Sequence, residues 1–356
     1  MIPFRRTAAS LAICMAAAIA PAAAQDGLVA IDYDSLNQAI IDGQIVPAHD
    51  RFVAATEVLE TALDAYCDGA VGDLDGVIAA YHGAYDGWMA VSWINFGPET
   101  LFMRPVRVHF WPDTRNALGR QLGELLNAPR DDLLDAATLG ETSVALQGLP
   151  ALERLIFEVE DFAPGGYACA LSRSIGENLH TIAQDLARAW TDPEERQLSL
   201  PTGQDLTNAV FQAVYEHFEM ILFRKLAPAL GDSAEAARPR LAENWRSERA
   251  LDNIVINFRA ILGVFENGDG LGFADVVRSP VGARSLADSM VNGLRDAIEE
   301  AEALSGYTIA ELVSDPELRE RLIAMGAGAN RVRRLWADAV GPALNLNLGF
   351  NAQDGD

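Results

Sequence analysis

Apolar residues recur every three to four positions along nearly all of the chain, and strand-like alternation is almost absent, so the pattern predicts an all-α protein. Helices are expected near 28–66, 73–95, 112–127, 131–147, 151–160 and 170–190, with breaks at Gly97-Pro98, Pro129 and Pro164-Gly165-Gly166. A second set is expected near 204–230, 238–267, 280–304 and 315–340. Between the sets lies a polar, breaker-rich stretch from Thr191-Asp192-Pro193 to Pro201-Thr202-Gly203. Two helical bundles are the economical architecture, one over 25–195 and one over 196–356. The length of 356 residues suits two domains of that size.

The first 24 residues carry a different pattern. Arg5 and Arg6 precede an apolar run from Ala8 to Ala20, and Ala22-Ala23-Ala24 precede Gln25, the three parts of a secretory signal peptide with cleavage expected after Ala24. The run is too short to span a bilayer, and no later stretch reaches the roughly 18 uncharged residues a transmembrane helix needs. Ile13 is bulky before Cys14, which argues against a lipoprotein anchor. The expected location is periplasmic or secreted. In that oxidising compartment the two cysteines left after cleavage, Cys67 and Cys169, are expected to form one disulfide, the alternative being two buried free thiols.

Charge narrows the partners. The formal net charge of −24 repels phosphate backbones, so nucleic acid is excluded. Lys225 is the sole lysine among 27 basic residues, and this reads as a compositional bias toward arginine. No metalloprotease histidine motif, Ser-His-Asp arrangement or glycine-rich phosphate loop is present. His217 falls on the stripe of Leu206, Val210, Val214 and Ile221 and reads as a core histidine. His82/Asp86 and His109/Asp113 have helical i,i+4 spacing and read as surface contacts.

One segment points to a site. With Pro150 in the first turn of a helix, Leu149, Leu152, Ile156 and Phe157 form an apolar arc that contains Glu153. A carboxylate in such an arc costs several kcal/mol unless it is paired, protonated or bound to a metal. A helix from Pro112 onward would put Arg115 in the arc of Leu118, Leu122, Leu125 and Leu126, which suggests a buried pair or a shared polar site with Glu153. The alternative is a salt bridge that only sets helix register. Trp111 and Asp113 would add an aromatic wall and a helix-start carboxylate. In the second half, Asn244, Ser247 and Glu248 precede the stripe of Leu251, Ile254, Val255 and Phe258 and project toward it. These residues could complete a site between bundles.

The residues Phe96-Gly97-Pro98, Phe110-Trp111-Pro112-Asp113, Ser143 to Glu153, Cys169 and Trp245-Arg246-Ser247-Glu248, in that order, resemble the imelysin family in its branch of periplasmic imelysin-like proteins. The resemblance implies two α-helical bundle domains, an outer-membrane or periplasmic location and a site near the domain interface. It also implies a connection to iron-regulated proteins and to the periplasmic part of an iron-uptake system, while a founding member is described as a metallopeptidase. The family's G-x-H-x-x-E motif falls on Gly148, Pro150 and Glu153, so proline stands at the histidine position. Proline cannot ligate a metal, and a lone carboxylate is a poor zinc site. The expected function is therefore a non-enzymatic, exported protein with an interdomain ligand or metal site and a role in iron acquisition. Glu153 is the candidate metal ligand, for iron or another divalent cation. Gly148, Arg115, Asp113, Trp111, His109, Ser247 and Glu248 are the other site candidates, and an outer- or inner-membrane iron-uptake component is the expected partner. The rival readings are a metallopeptidase-like hydrolase and a structural or protein-binding module.

Overall fold

A computed structural model describes residues 31–69, 72–160, 162–279 and 281–349, and every regular element in them is helical. The expected signal peptide over 1–24 lies outside the described residues. The first half holds α1 (Tyr33–Ile40), α2 (Val46–Cys67), α3 (Leu74–Val91), α4 (Arg104–Val108), α5 (Ala117–Asn127), α6 (Ala136–Gly140), α7 (Leu149–Glu158), α8 (Tyr167–Thr191) and α9 (Pro193–Ser199). The second holds α10 (Gly203–Glu219), α11 (Ala227–Leu230), α12 (Ala250–Glu266), α13 (Phe273–Arg278), α14 (Arg284–Leu304), α15 (Ile309–Ser314), α16 (Pro316–Leu335) and α17 (Gly341–Ala343). No helix among the described residues is long and apolar enough to cross a membrane.

The long helices pack as two groups. In the first half α2 lies against both α3 and α8, and in the second α14 lies between α12 and α16. The groups are joined along α3 and α12, and their buried apolar side chains form one connected core. α1 precedes the division at 195/196 yet packs on α10, where Asn37 donates to the Gly203 carbonyl at 2.8 Å and accepts from Thr207 Oγ1 at 2.7 Å. Cys67 and Cys169 are disulfide-bonded across 102 residues with Cα atoms 5.5 Å apart, tying the end of α2 to the start of α8. A crosslink closing a loop that long stabilises by roughly 4–5 kcal/mol in the chain-entropy account.

Three long helices widen into π-helical turns, at Ile41–Ile45, Met220–Leu226 and Trp336–Val340. Each is followed two residues later by a proline, Pro47, Pro228 or Pro342. Proline has no amide hydrogen to continue the ladder, and its ring crowds the carbonyl four residues back, so a wider turn accommodates it without ending the helix.

Three segments differ from the sequence expectation. Residues 131–147 are short pieces rather than one helix, because Asp135 caps a new start by accepting from Thr138 N and Ser143 does the same for Ala145 N. The expected helix from Pro112 begins only at Ala117. The expected helix over 238–267 begins only at Ala250, since Asn244 and Glu248 take left-handed conformations, with φ of 50° and 59°.

Candidate functional site

The late start of α12 builds the site. Residues 244–249 turn back on themselves, closed by Arg249 N donating to the Asn244 carbonyl at 3.1 Å. The turn delivers Ser247 to α7 of the other half, where its amide and hydroxyl both donate to Glu153 Oε1, at 3.2 and 2.8 Å. Glu153 is 5% exposed, and burial raises its pKa against the lowering influence of Ser247 and Arg246. The Arg246 guanidinium lies 4.0 Å from Glu153 Oε2 and 2.5 Å from Glu158 Oε1. Gly148 opens α7 against the end of α4. A Cβ there would lie 2.1 Å from the Val108 carbonyl oxygen, so only glycine allows this approach.

Behind Glu153 runs a buried polar seam between the halves. Glu243 Oε2 accepts from Lys225 Nζ at 2.8 Å and from Asn253 Nδ2 at 2.7 Å, while His109 Nε2 lies 3.2 Å from Oε1. Lys225 also donates to Asn257 Oδ1 at 2.7 Å and contacts Met89 Sδ at 3.2 Å. Asn244 donates to Tyr81 Oη at 3.0 Å and accepts from Asn253 at 2.8 Å, linking this group to the Glu153 turn. Burial pulls Glu243 upward, but the Lys225 ammonium and then His109 overcome it and hold the carboxyl well below its usual range. Lys225 is lowered by its own burial, against the pull of Glu243. Within the pair each charge is the other's compensation.

In front of Glu153 lies a cavity of about 270 Å³ lined from both halves. Trp111, Pro112, Asp113, Pro150, Glu153 and Arg154 come from the first, and Arg224, Arg240, Asn244, Trp245 and Arg246 from the second. Trp245 carries two guanidinium groups on its rings, Arg246 at 4.3 Å and Arg240 at 5.2 Å. Arg224 rises from the widened turn before Pro228, next to the buried Lys225.

The sequence-predicted residues divide accordingly. Trp111, Asp113 and Glu153 reach the cavity, Gly148 seats the helix that carries Glu153, and Ser247 stands behind the wall as its partner. Asp113 accepts from Ala117 N and Leu118 N at 2.8 and 2.9 Å, so its carboxylate is spent on the start of α5. His109 belongs to the seam with Glu243 rather than to a pair with Asp113, and Asp86 pairs with Arg249 rather than with His82. Arg115 corrects the expectation of an inward-facing guanidinium: it is exposed in the turn before α5, because the helix that would have turned it inward starts two residues later. Glu248 is exposed and does not line the cavity. His217 is buried as expected, and burial, then Lys225, lowers its pKa to about 3. Its Nε2 has no hydrogen-bond partner among the described residues.

The donor set does not fit a resident metal. Glu153 Oε1 is occupied by two donors, Pro150 stands where the family motif has histidine, and among the described residues no three His, Cys, Asp or Glu side chains are grouped to hold an ion.

Lys225, Glu243, Asn253, Asn257, Arg224 and Arg240 escaped the sequence reading. Two signals were available. Asn253 and Asn257 are one helical turn apart on the apolar stripe of α12, and Pro228 falls inside an expected helix beside the only lysine.

The family model for imelysin matches residues 45–333. In fold, the chain is similar to an imelysin-like protein from Psychrobacter arcticum 273-4, with a TM-score of 0.74 and 17% identity over 90% of this chain and 100% of that one. It is also similar to a protein assigned as an iron-regulated protein A precursor from Parabacteroides distasonis ATCC 8503, with a TM-score of 0.63 and 14% identity over 86% of this chain and 95% of that one. No curated protein matches significantly. The family model spans most of the chain, and the helical architecture agrees with it: this protein belongs to the imelysin family.

Proposed function

We propose that the protein is an exported, non-catalytic binding protein of the imelysin family that holds a small ligand in the cavity between its two bundle domains, 25–195 and 196–356, and serves iron acquisition. The observation that carries the binding reading is the cavity itself, walled by tryptophans from both halves and floored by the anchored Glu153. A hydrolytic role has less support: Glu153 Oε1 accepts two bonds from Ser247, and the family's imidazole is replaced by Pro150. The iron connection rests on the family and on the iron-regulated precursor whose fold is similar.

Two assays test the reading. The exported chain should begin at Gln25 by N-terminal sequencing, and it should release no peptide fragments from casein. Proteolysis abolished both by chelator and by Glu153→Ala would instead establish the hydrolase. Calorimetric titration with ferrous iron, ferric iron and zinc, beside Glu153→Gln, tests direct metal binding: the donor set predicts no stoichiometric site for any free ion.

A further inference from the structure

The chain is strongly acidic, yet the cavity in front of Glu153 is ringed by guanidinium groups. Arg154, Arg224, Arg240 and Arg246 all line it, against two carboxylates, Asp113 and Glu153. Asp113 is satisfied by the first amides of α5, and Glu153 accepts from Ser247 on Oε1, with the Arg246 guanidinium 4.0 Å from Oε2. The arginines are not equally satisfied. Arg154 is paired with Glu158 at 3.1 Å and bonded to Asn116, and Arg246 is paired with Glu158. The exposed side chains of Arg224 and Arg240 make no ion pair or hydrogen bond among the described residues, in a chain with 51 Asp and Glu against 27 Lys and Arg.

We propose that the cavity takes a small organic anion, its carboxylate or phosphate groups held by Arg224 and Arg240 and its body laid between Trp111 and Trp245. This rests on the cavity being the ligand site and adds the chemical class. The Arg240 and Arg246 guanidinium groups lie 5.2 and 4.3 Å from the Trp245 ring, which helps hold them at the cavity, and the guanidinium fork suits a bidentate oxyanion. The opposing net charge does not prevent this, because charges beyond about 8 Å are screened at physiological salt while contact pairs are not. The volume of about 270 Å³ lies just below the usual range for small-molecule sites and suits a small ligand. A metal would enter such a site as the centre of an anionic complex, not on protein side chains, which reconciles a role in iron acquisition with the poor donor set.

The experiment is calorimetric titration of the protein with citrate, ferric citrate, benzene-1,3,5-tricarboxylate and inorganic pyrophosphate. The same series is run on Arg224→Gln/Arg240→Gln and on Arg259→Gln, whose exposed guanidinium pairs with Glu302 far from the cavity lining. The expected result is saturable binding of at least one probe, weakened tenfold or more in the double variant and unchanged in Arg259→Gln. Carboxylate probes binding ahead of pyrophosphate, or the reverse, identifies the anionic group. Anion binding that the double variant leaves intact overturns the proposal, since the anion would then sit elsewhere. If no anion binds but a free metal ion does, with loss in Glu153→Gln, the anion class is overturned and the cavity remains the ligand site. If neither class binds, both readings fall.

Discussion

Glu153 and Glu243 sit at two ends of one polar seam, both almost fully buried, and although burial pushes both upward their pKa values shift in opposite directions. At the closed end, Glu243 meets the Lys225 ammonium at 2.8 Å and is held ionised. At the cavity end, Glu153 meets a serine amide and hydroxyl, with the nearest guanidinium contact at 4.0 Å, and its pKa rises. Burial alone does not set the character of a carboxyl group; the nearest full charge does. In a low-dielectric interior a unit charge in contact outweighs neutral dipoles. The closed end is a joint between the halves, and the open end keeps its guanidinium groups available.

The largest expected effect is at the joint. Lys225→Met leaves Glu243 buried without its cation and should cost about 3–5 kcal/mol of unfolding free energy. Adding Glu243→Gln should restore most of it. Denaturant unfolding of the single and double variants checks this, and a single-variant loss below about 1 kcal/mol would remove the contrast between the two ends.

The support of the cavity end comes next. Gly148→Ala places a methyl group against the Val108 carbonyl and should destabilise by about 1–3 kcal/mol, as other overpacked sites do. An unchanged thermal midpoint would show that α7 can move away freely, and with it Glu153.

Glu153→Gln should change stability by less than about 1 kcal/mol at neutral pH, because a neutral amide oxygen still accepts from Ser247. Its pH dependence carries a sign. With a folded pKa above the ordinary carboxylate value, the folded protein binds the proton more tightly than the unfolded chain, so this group lowers stability as pH rises through and above 4.5. The variant should lack that component, and a parallel pH–stability profile would contradict the raised value.

The smallest effect at neutral pH belongs to His217, which feels the same Lys225 charge. Its pKa is lowered from 6.5 to about 3, so the unfolded chain takes up a proton that the folded protein refuses. Stability is therefore lost as pH falls from about 6.5 toward 3, and His217→Gln should flatten that limb of the profile. An unaltered slope would show that Lys225 and burial do not act there as described.

Much of the fold was legible. The period of 3.6 located α3, α8, α14 and the continuous helical runs from α1 to α2, α10 to α11 and α16 to α17 to within a few residues, since an apolar stripe is a local signature of a helix packed on a core. It misplaced the start of α5 and α12 because an apolar pattern can continue through a turn that only side-chain contacts stabilise. Asn244 is such a case: its left-handed backbone is held by the bonds of its buried amide to Tyr81 and Asn253. The site was legible in part. Glu153 stood out as a carboxylate in an apolar arc, and Trp111 as a nearby aromatic, whereas Arg115 was placed inward by a helix start that does not exist. Lys225 was visible as the sole lysine and was read as composition, because nothing within one helical turn of it announces a carboxylate partner.

The amino-acid order by itself determined the all-α class, the pairing of Cys67 with Cys169 and the presence of an inward carboxylate at Glu153. These follow from local periodicity and from counting, which need no knowledge of neighbours. Only the tertiary structure decided what each polar group meets. The partners of Lys225 lie 18, 32 and 136 residues away in the chain but about 3 Å away in space, and those of Glu153 lie 94 residues away. Electrostatic and hydrogen-bond energies depend on that distance in space, so joint and cavity exist only once the two halves have packed.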